Sequence, residues 1–190
     1  IGLTIFAGQS FTQSPLTVDH TVLLNLFNSV SCDMATNGII EDGTAIGLGI
    51  ANAVSRLKDS KAKSKVVILL TDGSNNRGDI SPLTAAEIAK TYGIRVYTIG
   101  VGSNGTAPYP YPTMGGVQYI NMPVEIDEST LQQIAKTADG QYYRATSNSK
   151  LKEVYEEIDK LEKTKLNVKD FSRKSEEYMP FALWAMVCLI

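Results

Sequence analysis

Apolar residues in this chain alternate between two arrangements: unbroken aliphatic runs and stripes at helical spacing. The dominant run lies within residues 65–79, KVVILLTDGSNNRGD, where Val66, Val67, Ile68, Leu69 and Leu70 follow one another and stop at Thr71-Asp72-Gly73. A run of this kind without polar alternation predicts a strand buried on both faces, as at the centre of a parallel sheet. Asp72 then stands at the strand's carboxyl end, the edge at which open α/β sheets bind ligands. Gly73 lets the backbone turn away into Ser74-Asn75-Asn76 and leaves a carboxylate on the rim. A carboxylate there is a hard oxygen ligand for a divalent cation, or else a cap for the following turn.

The same pattern assigns the other elements. Residues 1–7 predict a strand, and residues 10–17 a short edge strand, since Pro15 is kept from a sheet interior. Asp19 caps a helix from His20 to about Val30, whose Val22, Leu23, Leu26, Phe27 and Val30 predict one face packed on the sheet. Gly43-Thr44-Ala45-Ile46-Gly47 opens a helix to about Lys58, with an apolar stripe of Ile46, Ile50, Val54 and Leu57. Thr44 falls at or near its N-cap. Its hydroxyl either caps the helix or, at a positive helix terminus beside a strand-end carboxylate, ligates a metal or contacts an anion. Asp79 or Ser81 caps the next helix, with Pro82 early and Gly93 at its end, and residues 94–100 form the strand that follows. Two strands separated by one helix make a βαβ unit with parallel pairing and a right-handed crossover. Asp127 opens a further helix closed by Gly140, residues 141–145 form a last strand, and Ser147 or Asn148 caps a long amphipathic helix carrying Leu151, Val154, Tyr155, Ile158 and Leu161. The fold class is α/β, a doubly wound, mostly parallel sheet with helices on both faces.

Gly100, Gly102 and Gly105 match a dinucleotide-binding spacing. That chemistry needs a helix N-terminus directly behind the glycines, and Pro108, Pro110 and Pro112 forbid one. The insertion at residues 105–124 alternates Pro and Tyr before reading GVQYINM, which predicts an excursion or hairpin with a polyproline-like arm. Tyr109, Tyr111 and Tyr119 there either meet a partner or pack on the domain's own surface. Asn104-Gly105-Thr106 matches a glycosylation sequon by pattern alone.

Length and charge narrow the function classes. At 190 residues, 43% hydrophobic and a net charge of -2, the chain suits one globular domain with a substantial core and carries no nucleic-acid footprint. Cys32 and Cys188 form no CxxC and no Cys/His cluster, so neither a disulfide framework nor a zinc site is expected. His20, the one histidine, sits in a first helical turn and reads as a surface residue. Residues 1–7 begin as a strand already under way, so the chain is expected to start within a domain. Residues 179–190, MPFALWAMVCLI, carry no charge and follow a charged stretch. They read as the first part of a transmembrane helix, the alternative being a short buried terminal helix. The organisation expected is a domain at residues 1–163, a charged juxtamembrane linker at 164–178 and the membrane segment at 179–190.

The element order, with EDGTAIG, VVILLTDG and IRVYTIGVG at its joints, resembles a von Willebrand factor type A domain over roughly residues 1–163. Two long stretches are similar to the membrane-anchored aerotolerance (Bat) proteins of bacteria, in particular the BatA-like branch. One runs from Thr44 through Gly102, and the other is NMPVEIDESTLQQIAKTADGQYYRAT. The resemblance implies a three-layer fold and a metal-ion-dependent adhesion site, in which a DxSxS loop, a Thr and an Asp hold Mg²⁺ (or Mn²⁺ or Ca²⁺). One coordination position is left for a partner's carboxylate. Thr44 matches the family's Thr and Asp72 its second Asp, with Gly43, Gly73, Ser74, Asn75, Tyr109 and Tyr111 as partner-binding candidates. The DxSxS loop follows the family's first central strand, which is missing here, so this chain by itself is expected to form an incomplete metal site.

The function expected is therefore a non-enzymatic, membrane-anchored protein-interaction module in bacterial envelope stress tolerance, with no small-molecule substrate. The resemblance implies a MoxR-type AAA+ ATPase and sister type A proteins as partners, and a periplasmic placement. Lys163, Lys165, Lys169, Arg173 and Lys174 instead favour a cytoplasmic flank. The alternative function is a Mg²⁺-dependent phosphohydrolase built on Asp72, for which only Arg77 and Asp79 lie close in sequence.

Overall fold

The computed structural model describes residues 1–31, 40–102, 105–113, 116–124 and 126–172. In chain order the elements are β1 (Leu3–Phe6), β2 (Ser10–Ser14), α1 (His20–Asn28), α2 (Ile46–Leu57), β3 (Val66–Thr71), α3 (Pro82–Thr91), β4 (Arg95–Val101), β5 (Gly105–Thr113), β6 (Gly116–Val124), α4 (Glu128–Thr137), β7 (Tyr142–Ala145) and α5 (Asn148–Ser172). They form two compact units, Ile1–Val154 and Tyr155–Ile190. The second is described through residue 172 as the continuation of α5, with Lys163 paired to Asp159 one turn away.

The parallel pairing expected of the βαβ unit holds. β3 and β4 pair in parallel from Val66↔Arg95 to Thr71↔Gly100, and β7 joins β4 in parallel from Thr98↔Tyr142 to Val101↔Ala145. The strand order is β3-β4-β7, and each parallel connection carries a helix, α3 between β3 and β4 and α4 between β4 and β7. The core is one continuous cluster in which Ile46, Ile50 and Val54 of α2 meet Val67 and Leu69 of β3, Ala85, Ala86 and Ala89 of α3, Val96 of β4, and Leu131 and Ile134 of α4. Small residues set the helix spacing. A Cβ at Gly47 would lie 1.9 Å from the Ile80 carbonyl oxygen, so α2 approaches the segment before α3 as closely as only glycine allows. The Thr98 hydroxyl, fully buried, donates to the Leu131 carbonyl at 2.9 Å and ties β4 to α4.

Helix ends follow local chemistry. Ser81 is the N-cap of α3 with Pro82 in its first turn, and Asp127 is the N-cap of α4, accepting from the Thr130 N–H at 2.9 Å. The Ser147 hydroxyl accepts from the Lys150 N–H at 3.3 Å at the start of α5. That helix runs on to Ser172, so residues expected to be linker continue it. Among the described residues no helix is long and apolar enough to cross a membrane. Residues 179–190, Cys32, Cys188 and the Asn104 sequon position lie outside the described residues.

Four expectations need correction. β3 is not buried on both faces: Val67 and Leu69 are buried, whereas Ile68 and Leu70 are 37% and 41% exposed. Among the described residues β3 is an edge strand of its sheet, and an aliphatic run reports compatibility with burial on two sides, not the presence of cover. The partners of Ile68 and Leu70 in register, Tyr97 and Ile99, are fully buried, so the exposure is confined to the edge. Second, β1 and β2 form a separate antiparallel ribbon from Leu3↔Ser14 to Phe6↔Ser10. Third, α1 has no fully buried residue: of its predicted face Val22 and Phe27 are 48% and 58% exposed while Leu23, Leu26 and Val30 are half-buried, so among the described residues the face is only partly covered. Fourth, residues 105–124 form the hairpin, one of the two expected alternatives, but its proline-bearing arm is not polyproline-like: it is strand β5, paired throughout with β6.

Candidate functional site

The rim of interest lies where β3 ends. Thr71 is buried there, and its hydroxyl accepts the Gly73 N–H at 3.3 Å, which pins the turn that carries Asp72. Asp72 itself is exposed. A Cβ built on Gly73 would lie 3.2 Å from the Thr44 hydroxyl oxygen, so Thr44 rests directly against the residue after Asp72. The helix-start hydroxyl of Thr44 is thus brought beside Gly73, the residue that follows the strand-end Asp72, although 29 positions separate Thr44 from it in the chain.

The N-terminus of α2 is held by the loop after β3. Its N-cap residue is Ala45, without a side-chain cap of its own. Asn75 supplies the missing acceptor, taking the Ile46 N–H at 2.8 Å, and Asn76 takes the Thr44 N–H at 2.8 Å. The Asn76 and Arg77 N–H groups donate back to the Thr44 carbonyl at 3.0 and 3.3 Å. Helix starts leave several N–H groups without partners, and here the adjoining loop satisfies them in place of a local Ser or Asp. Thr44 therefore does not cap α2 with its side chain. Among the described residues, no hydrogen bond or ion pair engages either the Thr44 hydroxyl or the Asp72 carboxylate.

The flanking residues close the rim. Gly43 has a φ of 127°, and its Cβ would fall 2.4 Å from Arg77 Cγ, so the stem of Arg77 lies across it. The Asp42 carboxylate accepts the Gly43 N–H at 2.9 Å. The end of β1 reaches the same place, as the Ala45 N–H donates to the Ala7 carbonyl and the Gly8 N–H to that of Glu41, each at 2.7 Å. Of the partner-binding candidates, Gly43, Gly73, Ser74 and Asn75 are on this rim, with Ser74 exposed and Asn75 engaged with Ile46. Tyr109 and Tyr111 are elsewhere, on β5 opposite Ile120 and Gln118, and their side chains lie outside the described part of the structure. His20 is exposed at the start of α1.

A hard divalent cation takes about six oxygens. The uncommitted carboxylate and hydroxyl fit such an ion in kind but make only part of its shell. Among the described residues, no group of three or more His, Cys, Asp or Glu could hold a metal. Sequence reasoning did not reach Asn76. Its signal is only the general affinity of Asn for helix ends, and its partner is 32 residues away. After Gly102 the next described element is strand β5 from Gly105 and not a helix.

Comparison with known proteins agrees with this geometry. The von Willebrand factor type A domain profile matches residues 1–157. An uncharacterized protein of Borreliella burgdorferi is 27% identical over 191 residues, covering 100% of this chain and 54% of that protein; the chain spans about half the length of the curated relatives it matches. The crystal structure of BatB from Bacteroides thetaiotaomicron superposes with a TM-score of 0.68 at 33% identity, covering 85% of this chain and 78% of that one. An aerotolerance-related membrane protein from Bacteroides fragilis gives 0.65 at 30%, covering 84% and 78%. Proximal thread matrix protein 1 of the mussel byssus, in a structure with a zinc-occupied metal-ion-dependent adhesion site, gives 0.59 at 26%, covering 84% of this chain and 34% of that one. With its α/β fold, parallel sheet and strand-end rim, the chain belongs to the von Willebrand factor type A domain family.

Proposed function

We propose that this chain is the interaction module of a membrane-associated protein and captures a carboxylate-bearing protein partner through a divalent cation held at Thr44 and Asp72. The observation that carries this reading is the Thr44 hydroxyl resting against Gly73, next in the chain to Asp72, with neither side chain engaged among the described residues and the start of α2 fixed by the Asn75 and Asn76 clamp. Mg²⁺ or a similar ion would be held by the Thr44 hydroxyl and the Asp72 carboxylate. Further oxygens come from water, from additional chain and from the partner, whose carboxylate completes the shell. The cation supplies binding strength and selectivity for an anionic group, and the module needs no catalytic step. The metal-occupied site of the byssus protein supports the metal, and the description of the Bacteroides fragilis relative as a membrane protein supports membrane association. A role in envelope stress tolerance, a periplasmic placement and partners of the AAA+ ATPase and type A classes extend the same reading.

The test is a calorimetric titration with Mg²⁺ and Mn²⁺ of a longer chain carrying additional N-terminal residues, beside its Thr44→Ala and Asp72→Ala variants, all with matching thermal transitions. Binding by the parent that both substitutions abolish supports the reading. A folded parent that binds neither ion, or variants that bind as the parent does, removes the metal from the mechanism.

A further inference from the structure

The β5–β6 hairpin has two chemically different edges. The ladder runs unbroken from Gly105↔Val124 to Thr113↔Gly116. In an antiparallel pair, residues that exchange hydrogen bonds with their partner alternate with residues whose N–H and C=O point away. Pro108, Pro110 and Pro112 share one phase and have no N–H, so they occupy the outward positions. The outer edge of β5 consequently offers carbonyls without donors at three successive outward positions. By register, the outward residues of β6 are Asn121, Tyr119 and Val117, opposite those prolines. Each keeps both N–H and C=O, and among the described residues the sheet has no third strand.

We propose that this edge of β6 pairs with the same edge of a second copy of the chain, antiparallel across a two-fold axis at Tyr119. Val117 of one copy then stands opposite Asn121 of the other, and Tyr119 opposite Tyr119, joined by about six backbone hydrogen bonds. Charge complementarity favours this occupant. The alternating partial charges of an extended edge are matched by a reversed copy of the same edge, so a two-fold axis suffices. A charge on the axis would meet its own kind, and residues 105–124 contain no charged residue. Edges kept monomeric ordinarily carry such charges or prolines; β5 has three outward prolines, whereas β6 has one, Pro123 opposite Thr106 near its end, which leaves positions 117–121 without either. Tyr119, 71% exposed at the centre, supplies apolar area to bury. Because the outer edge of β5 is closed by proline, addition on one side ends at a four-stranded sheet and a closed dimer, with no fibre.

Sedimentation equilibrium of the full 190-residue chain tests this. The parent is expected to dimerise reversibly. Tyr119→Pro removes an outward donor without touching the ladder to β5 and should raise the dimer dissociation constant at least about tenfold. Asn121→Pro should act alike, while Tyr119→Val, which keeps the N–H, should stay dimeric. Circular dichroism identical to the parent shows that each variant is folded. A monomeric parent overturns the proposal, even if it binds a synthetic extended peptide at this edge. So does a dimer that both proline variants leave unchanged, which would place the contact elsewhere, for example at the β3 edge.

Discussion

Thr44 and Asn76 hold each other twice: the Asn76 side-chain oxygen accepts the Thr44 N–H at 2.8 Å, and the Thr44 carbonyl accepts the Asn76 N–H at 3.0 Å. This closed ring joins the start of α2 to the loop after β3 and leaves the Thr44 hydroxyl uncommitted. Asn76→Ala should cost about 1 kcal/mol in chemical denaturation, as a lost helix cap does. Asn75→Ala should cost a similar amount, and because the two act on one helix start the double variant should depart from additivity. In the longer chain used to test metal binding, either change should weaken the cation more than it weakens the fold. Affinity unchanged in both variants would show that the clamp does not organise the site.

The elements with local punctuation were legible in the sequence, and those fixed by distant partners were not. α3 could be read directly because Pro82 and Gly93 mark its ends, and the β3–β4 pairing followed from one helix between two aliphatic runs. The α2 cap could not, since Asn75 and Asn76 act on residues 29 and 32 positions away. The apolar faces of α1 and β3 were read correctly as faces but wrongly as covered, because periodicity records what a surface needs and not what meets it. At the site, Thr44 and Asp72 could be named from the sequence; that Thr44 rests against Gly73, next to Asp72, required the fold.

Glycines separate steric from conformational demand. Gly47→Ala would set a Cβ 1.9 Å from a backbone carbonyl that no side-chain rotation can relieve, so a loss of about 3 kcal/mol or more is expected. Gly93, at φ 63°, has nothing within 4 Å of its Cβ position, so Gly93→Ala should cost only about 1 kcal/mol, from the left-handed backbone alone. Thermal unfolding of the two variants should rank them in that order, and equal losses would contradict the close approach of α2 to Ile80.

The cap of α4 carries a pH signature. The Thr130 hydroxyl and N–H both donate to Asp127, which holds its carboxyl below the ordinary value of 3.8. A folded pKa below the unfolded one means stability that is complete above the unfolded value and lost as pH falls through the folded one. Asp127→Ala should therefore cost about 1 kcal/mol near pH 7, and the gap from the parent should narrow below about pH 4. A gap that stays constant into acid would mean that the charge of Asp127 contributes nothing beyond its shape.

The two faces of β3 should respond oppositely to substitution. Leu69 is 4% exposed within the core cluster, and Leu69→Ala should cost about 2–5 kcal/mol through lost burial and the cavity left behind. Ile68 and Leu70 keep 37% and 41% of their surface exposed, so replacement of either by threonine, a β-branched residue suited to strands, should cost clearly less than Leu69→Ala. Threonine at both removes apolar area beside an unpaired strand edge, the combination that drives edge-to-edge association. Binding of a hydrophobic dye and light scattering should both fall. A destabilisation as large as that of Leu69→Ala would instead show that something covers Ile68 and Leu70 in solution, and the edge of β3 would then have to be described as an interface.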